Sequence, residues 1–256
     1  MVVLRSLLFA IILAIFTPPF ALFGILAYPL SPRTRHRIVT AWAPLMMWFI
    51  PRILGIRYKV IGRENIPSVP SVILSKHQSA WETMALQVIF PPLCFVLKRE
   101  LLKVPFFGWG LAAIPGIAID RAAGKDALAQ VVEQGRARLS EGYWVAVFPE
   151  GTRTAPGAKR RYKAGGAALA QQAGVPVVPV AHNAGEFWGR DAFLKYPGEI
   201  TVSIGPVIDP TGLDAAEVNR RSAAWIEGEM RRLFPHHYRS GRDTTGAVSG
   251  EVEEAE

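Results

Sequence analysis

The chain reads as an α/β sandwich preceded by an apolar helical segment suited to a membrane, and three observations lead there. Short apolar runs such as Val72-Ile73-Leu74, Tyr143 to Phe148 and Val177 to Val180 have the length and β-branching of buried strands. Stretches of helical period, notably Asp126 to Leu139 and Leu213 to Phe234, lie between and after them, and such alternation implies helices layered on a sheet. The first thirty residues, finally, are mostly apolar, and a bilayer span needs about 20 such residues.

With 256 residues there is room for one ordinary domain and an appendage. Lys and Arg number 29 against 21 Asp and Glu, while the last six residues are acidic, so the basic excess lies upstream. It suits an anionic lipid surface or simply a solvated one. With an apolar start and no recognisable module, nucleic-acid binding is not expected. The single cysteine, Cys94, excludes an internal disulfide and a cysteine metal cluster. It stands in a strand-like run, where a thiol behaves as a small hydrophobe.

In chain order, Val2 to Leu30 comes first, interrupted by Pro18-Pro19. Each half is then about 11 residues, roughly 16 Å at helical rise, half a bilayer core. No small-x-small cleavage site follows it. Arg33, Arg35 and Arg37 mark a cytoplasmic side, and Ala41 to Ile50 carries Trp42 and Trp48, which favour the interface. Three arrangements are open: a spanning anchor with an interfacial helix, a hairpin in one leaflet, or two core helices of a soluble protein. The boundary falls near residue 56, giving a membrane-associated segment at 1–56, a globular domain at 57–235 and a polar tail, expected to be disordered, at 236–256.

Within the domain, Tyr58 to Ile61 alternates as a strand, and Asn65-Ile66-Pro67 turns the chain towards Val72-Ile73-Leu74. Trp81 to Phe90 reads as a helix closed by Pro91-Pro92, and Leu93 to Leu97 as a strand. Leu101 to Gly116, rich in Phe, Trp, Gly and Pro, reads as an apolar loop that lines a channel, rests on lipid or packs in the core. The basic run Lys159-Arg160-Arg161-Tyr162-Lys163 either contacts phosphates or is a solvated face. Gly165 to Gln172 is expected to be helical, His182 and Asn183 to be structural or at a rim, and Ile200 to Ile204 to be a strand towards a sheet edge.

Two strand ends carry the chemistry. After the first come His77 and, five residues on, Glu82. If His77 lies on the turn before the helix and Glu82 in its first turn, the carboxylate can reach one imidazole nitrogen and leave the other to accept a proton. An imidazole, with an ordinary pKa of about 6.5, is then a competent general base. The competing reading makes Ser79-Ala80-Trp81-Glu82 a capping box, with Ser79 as the cap. After the second strand, Phe148-Pro149-Glu150-Gly151-Thr152-Arg153 offers an Arg fork beside flexible backbone, which suits a phosphate. An ordinary strand-to-loop corner is the alternative.

Together these motifs resemble the PlsC-type glycerolipid acyltransferases, marked by His-x4-Asp and Phe-Pro-Glu-Gly-Thr-Arg. The second motif is intact here; in the first, Glu82 stands where most of the family has Asp. Lys98-Arg99-Glu100-Leu101 with Gly116 to Arg121, and Val175 to Val180, resemble two further motifs in order, so the likeness spans roughly residues 57–210. It implies the glycerolipid acyltransferase fold, a mixed sheet flanked by helices, on the cytoplasmic side of the inner membrane. It also implies acyl transfer from an acyl-thioester, acyl-CoA or acyl carrier protein, to 1-acylglycerol 3-phosphate. His77 and Glu82 would be catalytic. Lys98, Arg121 and Arg153 would hold the substrate phosphate, with Glu150, Gly151 and Thr152 shaping that site. No cofactor and no metal are expected. Another lysolipid acceptor and a non-catalytic membrane adaptor remain as alternatives.

Overall fold

The protein, a computed structural model, is described here over residues 1–120 and 123–238. Three helices open the chain, α1 (Val2–Leu26), α2 (Pro32–Thr40) and α3 (Trp42–Ile53). There follow β1 (Ile56–Ile61), β2 (Val72–Ser75), α4 (Trp81–Ile89), β3 (Leu93–Lys98), α5 (Phe107–Ala112), β4 (Ile117–Ile119) and α6 (Lys125–Ser140). The chain then forms β5 (Trp144–Val147), α7 (Gly165–Ala173), β6 (Val177–His182), α8 (Ala184–Phe187), β7 (Gly198–Ile204) and α9 (Ala215–Leu233).

Among the described residues seven strands form one sheet in the order β1-β7-β6-β2-β5-β3-β4. Neighbours are parallel except β6 and β7, so the sheet is mixed. Its middle strands, buried on both faces, are the continuous apolar runs of the sequence. Strand alternation divides β2 between two cores. Ile73 faces α1, α3 and α4, whereas Val72 and Leu74 face α6, α7 and α9. Ile200 to Ile204 falls in β7, one strand in from the edge formed by β1.

Two sequence expectations need correcting. Pro18-Pro19 does not divide the N-terminal stretch, because α1 runs unbroken through both prolines. Two prolines forgo two helical hydrogen bonds, and packing on either side compensates. Phe16 meets Phe49 of α3 with ring centroids 5.4 Å apart. A Cβ on Gly24 would lie 2.9 Å from both Ala113 Cβ and Val39 Cγ2, so glycine is what lets α1 seat against α2 and the end of α5. The second correction concerns Leu101 to Gly116, which is not a loop throughout. Arg99–Lys103 forms a 3-10 turn and α5 packs along α1.

The first 56 residues contribute to the same core as the domain. Phe9, Met46 and Ile50 are buried in one cluster with Ile73, Trp81 and Val180. Phe9 meets Trp188 edge to face at 5.5 Å. The other face of α1, with Leu4, Leu7, Leu8, Ile11, Ile15 and Leu22, is exposed.

Candidate active site

β2 lies at the centre of the sheet, between β6 and β5, and ligands of open α/β sheets bind beyond the carboxyl ends of such strands. The chain leaves β2 through Lys76 and His77, and α4 starts at Trp81. Glu82 therefore falls in the first helical turn and turns back. Its Oε1 lies 2.8 Å from His77 Nδ1 and accepts the N–H groups of Gln78 and Ser79, each at 2.9 Å. The two readings of this stretch thus coincide in one oxygen, which receives the imidazole and also closes the start of the helix. Ser79 is not the cap. That position is Ala80, and Ser79 Oγ instead accepts the Trp81 N–H at 3.1 Å.

Burial works to raise the Glu82 pKa, but the imidazoles of His182 and His77 and the Ser79 N–H outweigh it. The carboxyl therefore sits below its ordinary value, ionised and 1% exposed. The helix N-terminus favours the same charge.

His77 is fixed from three more directions. Its ring stacks on Phe148, with centroids 3.9 Å apart and planes 14° from parallel. Its N–H donates to Glu150 Oε2 at 2.8 Å. Its carbonyl accepts from Thr154 N at 2.8 Å and Thr154 Oγ1 at 3.2 Å. With Nδ1 engaged, Nε2 is the ring nitrogen that remains for a substrate.

Around His77 opens a mainly apolar cavity of about 350 Å³. Its walls come from α1 (Leu13, Phe20), α3 (Trp42), α4 (Met84) and α5 (Phe107, Leu111), and Arg153 joins His77 in the lining. The segment Leu101 to Gly116, left open by the sequence, is thus part of the cavity wall.

Of the residues expected at a phosphate site, Arg153 shares the cavity with His77 and pairs with Asp191 at 3.2 Å. Gly151 turns the chain at φ 72°, a conformation that favours glycine, and the half-buried Thr152 follows it. Lys98 ends β3, half exposed and paired with Glu100 at 3.1 Å, and is not among the cavity's lining residues. Arg121 lies outside the described residues. Glu150 is fully buried with its carboxylate turned inward onto Lys76, and its other oxygen accepts the His77 backbone N–H.

His182 is structural, as expected. Desolvation pushes its pKa down, and its Nε2 donates to Lys76 O at 2.8 Å. Sequence reasoning missed Lys76, Phe148, Thr154 and Glu227, whose partners come from other strands and from α9. Phe148 alone gave a signal, as the first residue of the six-residue motif. Glu186, His236 and His237 bring one donor atom each within 4.8 Å of one another. His236 Nε2 lies 2.8 Å and His237 Nε2 2.5 Å from Glu186 Oε1, so both imidazoles pair with the one carboxylate oxygen.

A family model described as Acyltransferase matches residues 57–183. A Pseudomonas aeruginosa protein named 1-acyl-sn-glycerol-3-phosphate acyltransferase is 45% identical over 251 residues, 96% of this chain and 98% of the relative. Human 1-acyl-sn-glycerol-3-phosphate acyltransferase alpha is 33% identical over 177 residues, 68% of this chain and 62% of its own. The crystal structure of the 1-acyl-sn-glycerophosphate acyltransferase PlsC from Thermotoga maritima has the same fold, with a TM-score of 0.76 at 23% identity over 91% of this chain and 95% of that one.

Proposed function

The chain belongs to this acyltransferase family, and we propose that it transfers an acyl group from a thioester to the free hydroxyl of 1-acylglycerol 3-phosphate, forming phosphatidic acid. The observation that carries the reading is the His77–Glu82 pair, 2.8 Å apart, opening on an apolar cavity that also holds Arg153. The cavity takes an acyl chain and Arg153 takes the phosphate, which sets the hydroxyl beside His77 Nε2. Nε2 removes the hydroxyl proton as the oxygen attacks the thioester carbonyl. Glu82, already ionised, stabilises the imidazolium. Collapse of the tetrahedral intermediate breaks the C–S bond, and the leaving thiolate regains the proton from His77. Holding both reactants in one cavity supplies much of the rate advantage.

No covalent acyl-enzyme is required. Ser75 and Ser79, each two residues from His77, are fully buried, one donating to Lys76 O and the other accepting the Trp81 N–H, which argues against a serine hydrolase. The thioester is that of coenzyme A or of an acyl carrier protein, and no cofactor takes part.

The uncovered face of α1 rests in lipid on the cytoplasmic side of the inner membrane. The helix is about 37 Å long at 1.5 Å per residue, and both of its ends touch the domain. Ser6 accepts the Lys195 N–H at 3.0 Å near one end, and Gly24 packs on Ala113 near the other. A helix that crossed the bilayer would carry one end away from a domain in water. This one lies along it, which favours insertion in a single leaflet.

The test is transfer of a labelled acyl group from acyl-CoA and from acyl carrier protein to a panel of lysolipids in vesicles. Labelled phosphatidic acid as the main product supports the reading. Preferred labelling of a lyso-aminolipid moves the assignment to that acceptor, and no labelling by the folded wild type leaves the adaptor.

A further inference from the structure

Lys76 precedes the catalytic histidine and points the opposite way. His77 faces the cavity, whereas the Lys76 side chain passes to the other side of the sheet and is completely buried. There its Nζ lies 2.5 Å from Glu150 Oε1 and 2.9 Å from Glu227 Oε1. Glu150 puts its other oxygen on the His77 N–H at 2.8 Å, and Thr154, which holds the His77 carbonyl, donates its hydroxyl to Glu150 Oε1 at 3.0 Å. Glu227 belongs to α9 and accepts the Tyr162 hydroxyl at 3.0 Å. A continuous polar path therefore runs from α9 through one ammonium to the backbone of His77. Glu227 lies beyond the segment matched by the family model.

We propose that Lys76 is a positioning residue for the acyl-transfer reaction, fixing Glu150 on the backbone of His77 and anchoring that hold in α9 through Glu227. The inference rests on the acyl-transfer reading above. Two carboxylates, of which only Glu150 is fully buried, and one ammonium leave a net negative charge largely removed from water, an expensive way to gain stability, since packed apolar side chains of similar volume do as well or better. What the triad offers is a directed hold that an apolar group cannot give. Burial alone would lower the Lys76 pKa, but the two carboxylates overcome it and keep the group above its ordinary value, so the ammonium persists wherever the reaction runs.

Two variants separate positioning from structural support. Lys76→Met leaves the buried Glu150 and the partly buried Glu227 carboxylates with no cation between them and lowers the melting temperature. Adding Glu227→Gln removes one of the opposed charges and restores much of the melting temperature, but does not restore the hold on Glu150. In the double variant we expect kcat to stay about 100-fold down, the cost of roughly 1 Å of misplacement, with KM for thioester and lysolipid within about threefold of wild type. Recovery of kcat together with the melting temperature would make Lys76 a structural residue and overturn the inference, as would a loss confined to KM. Failure of wild type to acylate any lysolipid would strike the acyl-transfer reading instead.

Discussion

Glu82→Gln is the sharpest perturbation available, because it removes a charge while leaving the shape. The amide oxygen can still accept from Gln78 and Ser79 and from His77 Nδ1, as Oε1 does now at 2.8 to 2.9 Å. The new NH₂ falls where Glu82 Oε2 is buried with no hydrogen-bond partner among the described residues, so little hydrogen bonding is lost. What disappears is the attraction between carboxylate and imidazolium in the transition state. At a charge separation of about 4 Å and an effective dielectric near 20 this is ~4 kcal/mol, and at ~1.4 kcal/mol per decade kcat should fall by about 10³-fold. The assay is steady-state transfer of labelled acyl groups to 1-acylglycerol 3-phosphate, with folding followed by thermal melting. A variant that folds and keeps more than about a tenth of wild-type kcat would refute the argument and reduce Glu82 to a helix cap. Its pH signature has a definite sign. Because the folded carboxyl lies below its ordinary value, its stabilisation is present above an unfolded value of about 4.3 and is lost as pH falls through the folded one. The stability gap between wild type and variant should therefore close in acid. Glu82→Asp, about 1.5 Å shorter, should lose the bond to His77 or the bonds to the backbone, with activity between wild type and Glu82→Gln.

Arg153→Ala should raise KM for 1-acylglycerol 3-phosphate by about 10- to 100-fold, the range of one charge-assisted hydrogen bond of ~1.5–3 kcal/mol. It should spare transfer to a monoacylglycerol lacking the phosphate, and equal losses on both acceptors would remove Arg153 from phosphate binding. Thr17→Trp on the α1 wall of the cavity should reduce use of long acyl thioesters while short ones remain substrates; an unchanged chain-length profile would place the acyl group elsewhere. Burial pushes the Cys94 thiol up to about 12, so at pH 8 iodoacetamide should leave the folded protein unlabelled and label the unfolded chain. Comparable labelling rates for both would mean that β3 opens readily.

What could be read from sequence was what is local. β2, β5 and β6 announced themselves because strands buried on both faces must be continuous apolar runs. α6 and α9 did so because each presents one apolar face. The continuity of α1 through Pro18-Pro19 could not be read, since the contacts that offset two missing hydrogen bonds come from Phe49 and from the Gly24–Ala113 contact, distant in the chain. α5 was hidden for a related reason. Its six residues include two glycines, and its place is settled by packing on α1 and not by helix propensity.

The site divides along the same line. His77 and Glu82 lie within one turn and a helix start, so their pairing followed from chain geometry. Lys76 and Glu227 are 151 residues apart and meet only because α9 packs on β6, the neighbour of the central β2. The sequence also posed cap and catalytic partner as alternatives for Glu82, yet a carboxylate oxygen can accept several bonds at once, and the donors here converge. Bending the chain from β2 into α4 points the N–H groups of Gln78 and Ser79 inward, and the same bend brings His77 Nδ1 to that oxygen. Satisfying the helix start therefore orients the base: the backbone bonds that hold Glu82 in place are what make it a fixed partner for an imidazole that must gain and lose a proton in each turnover.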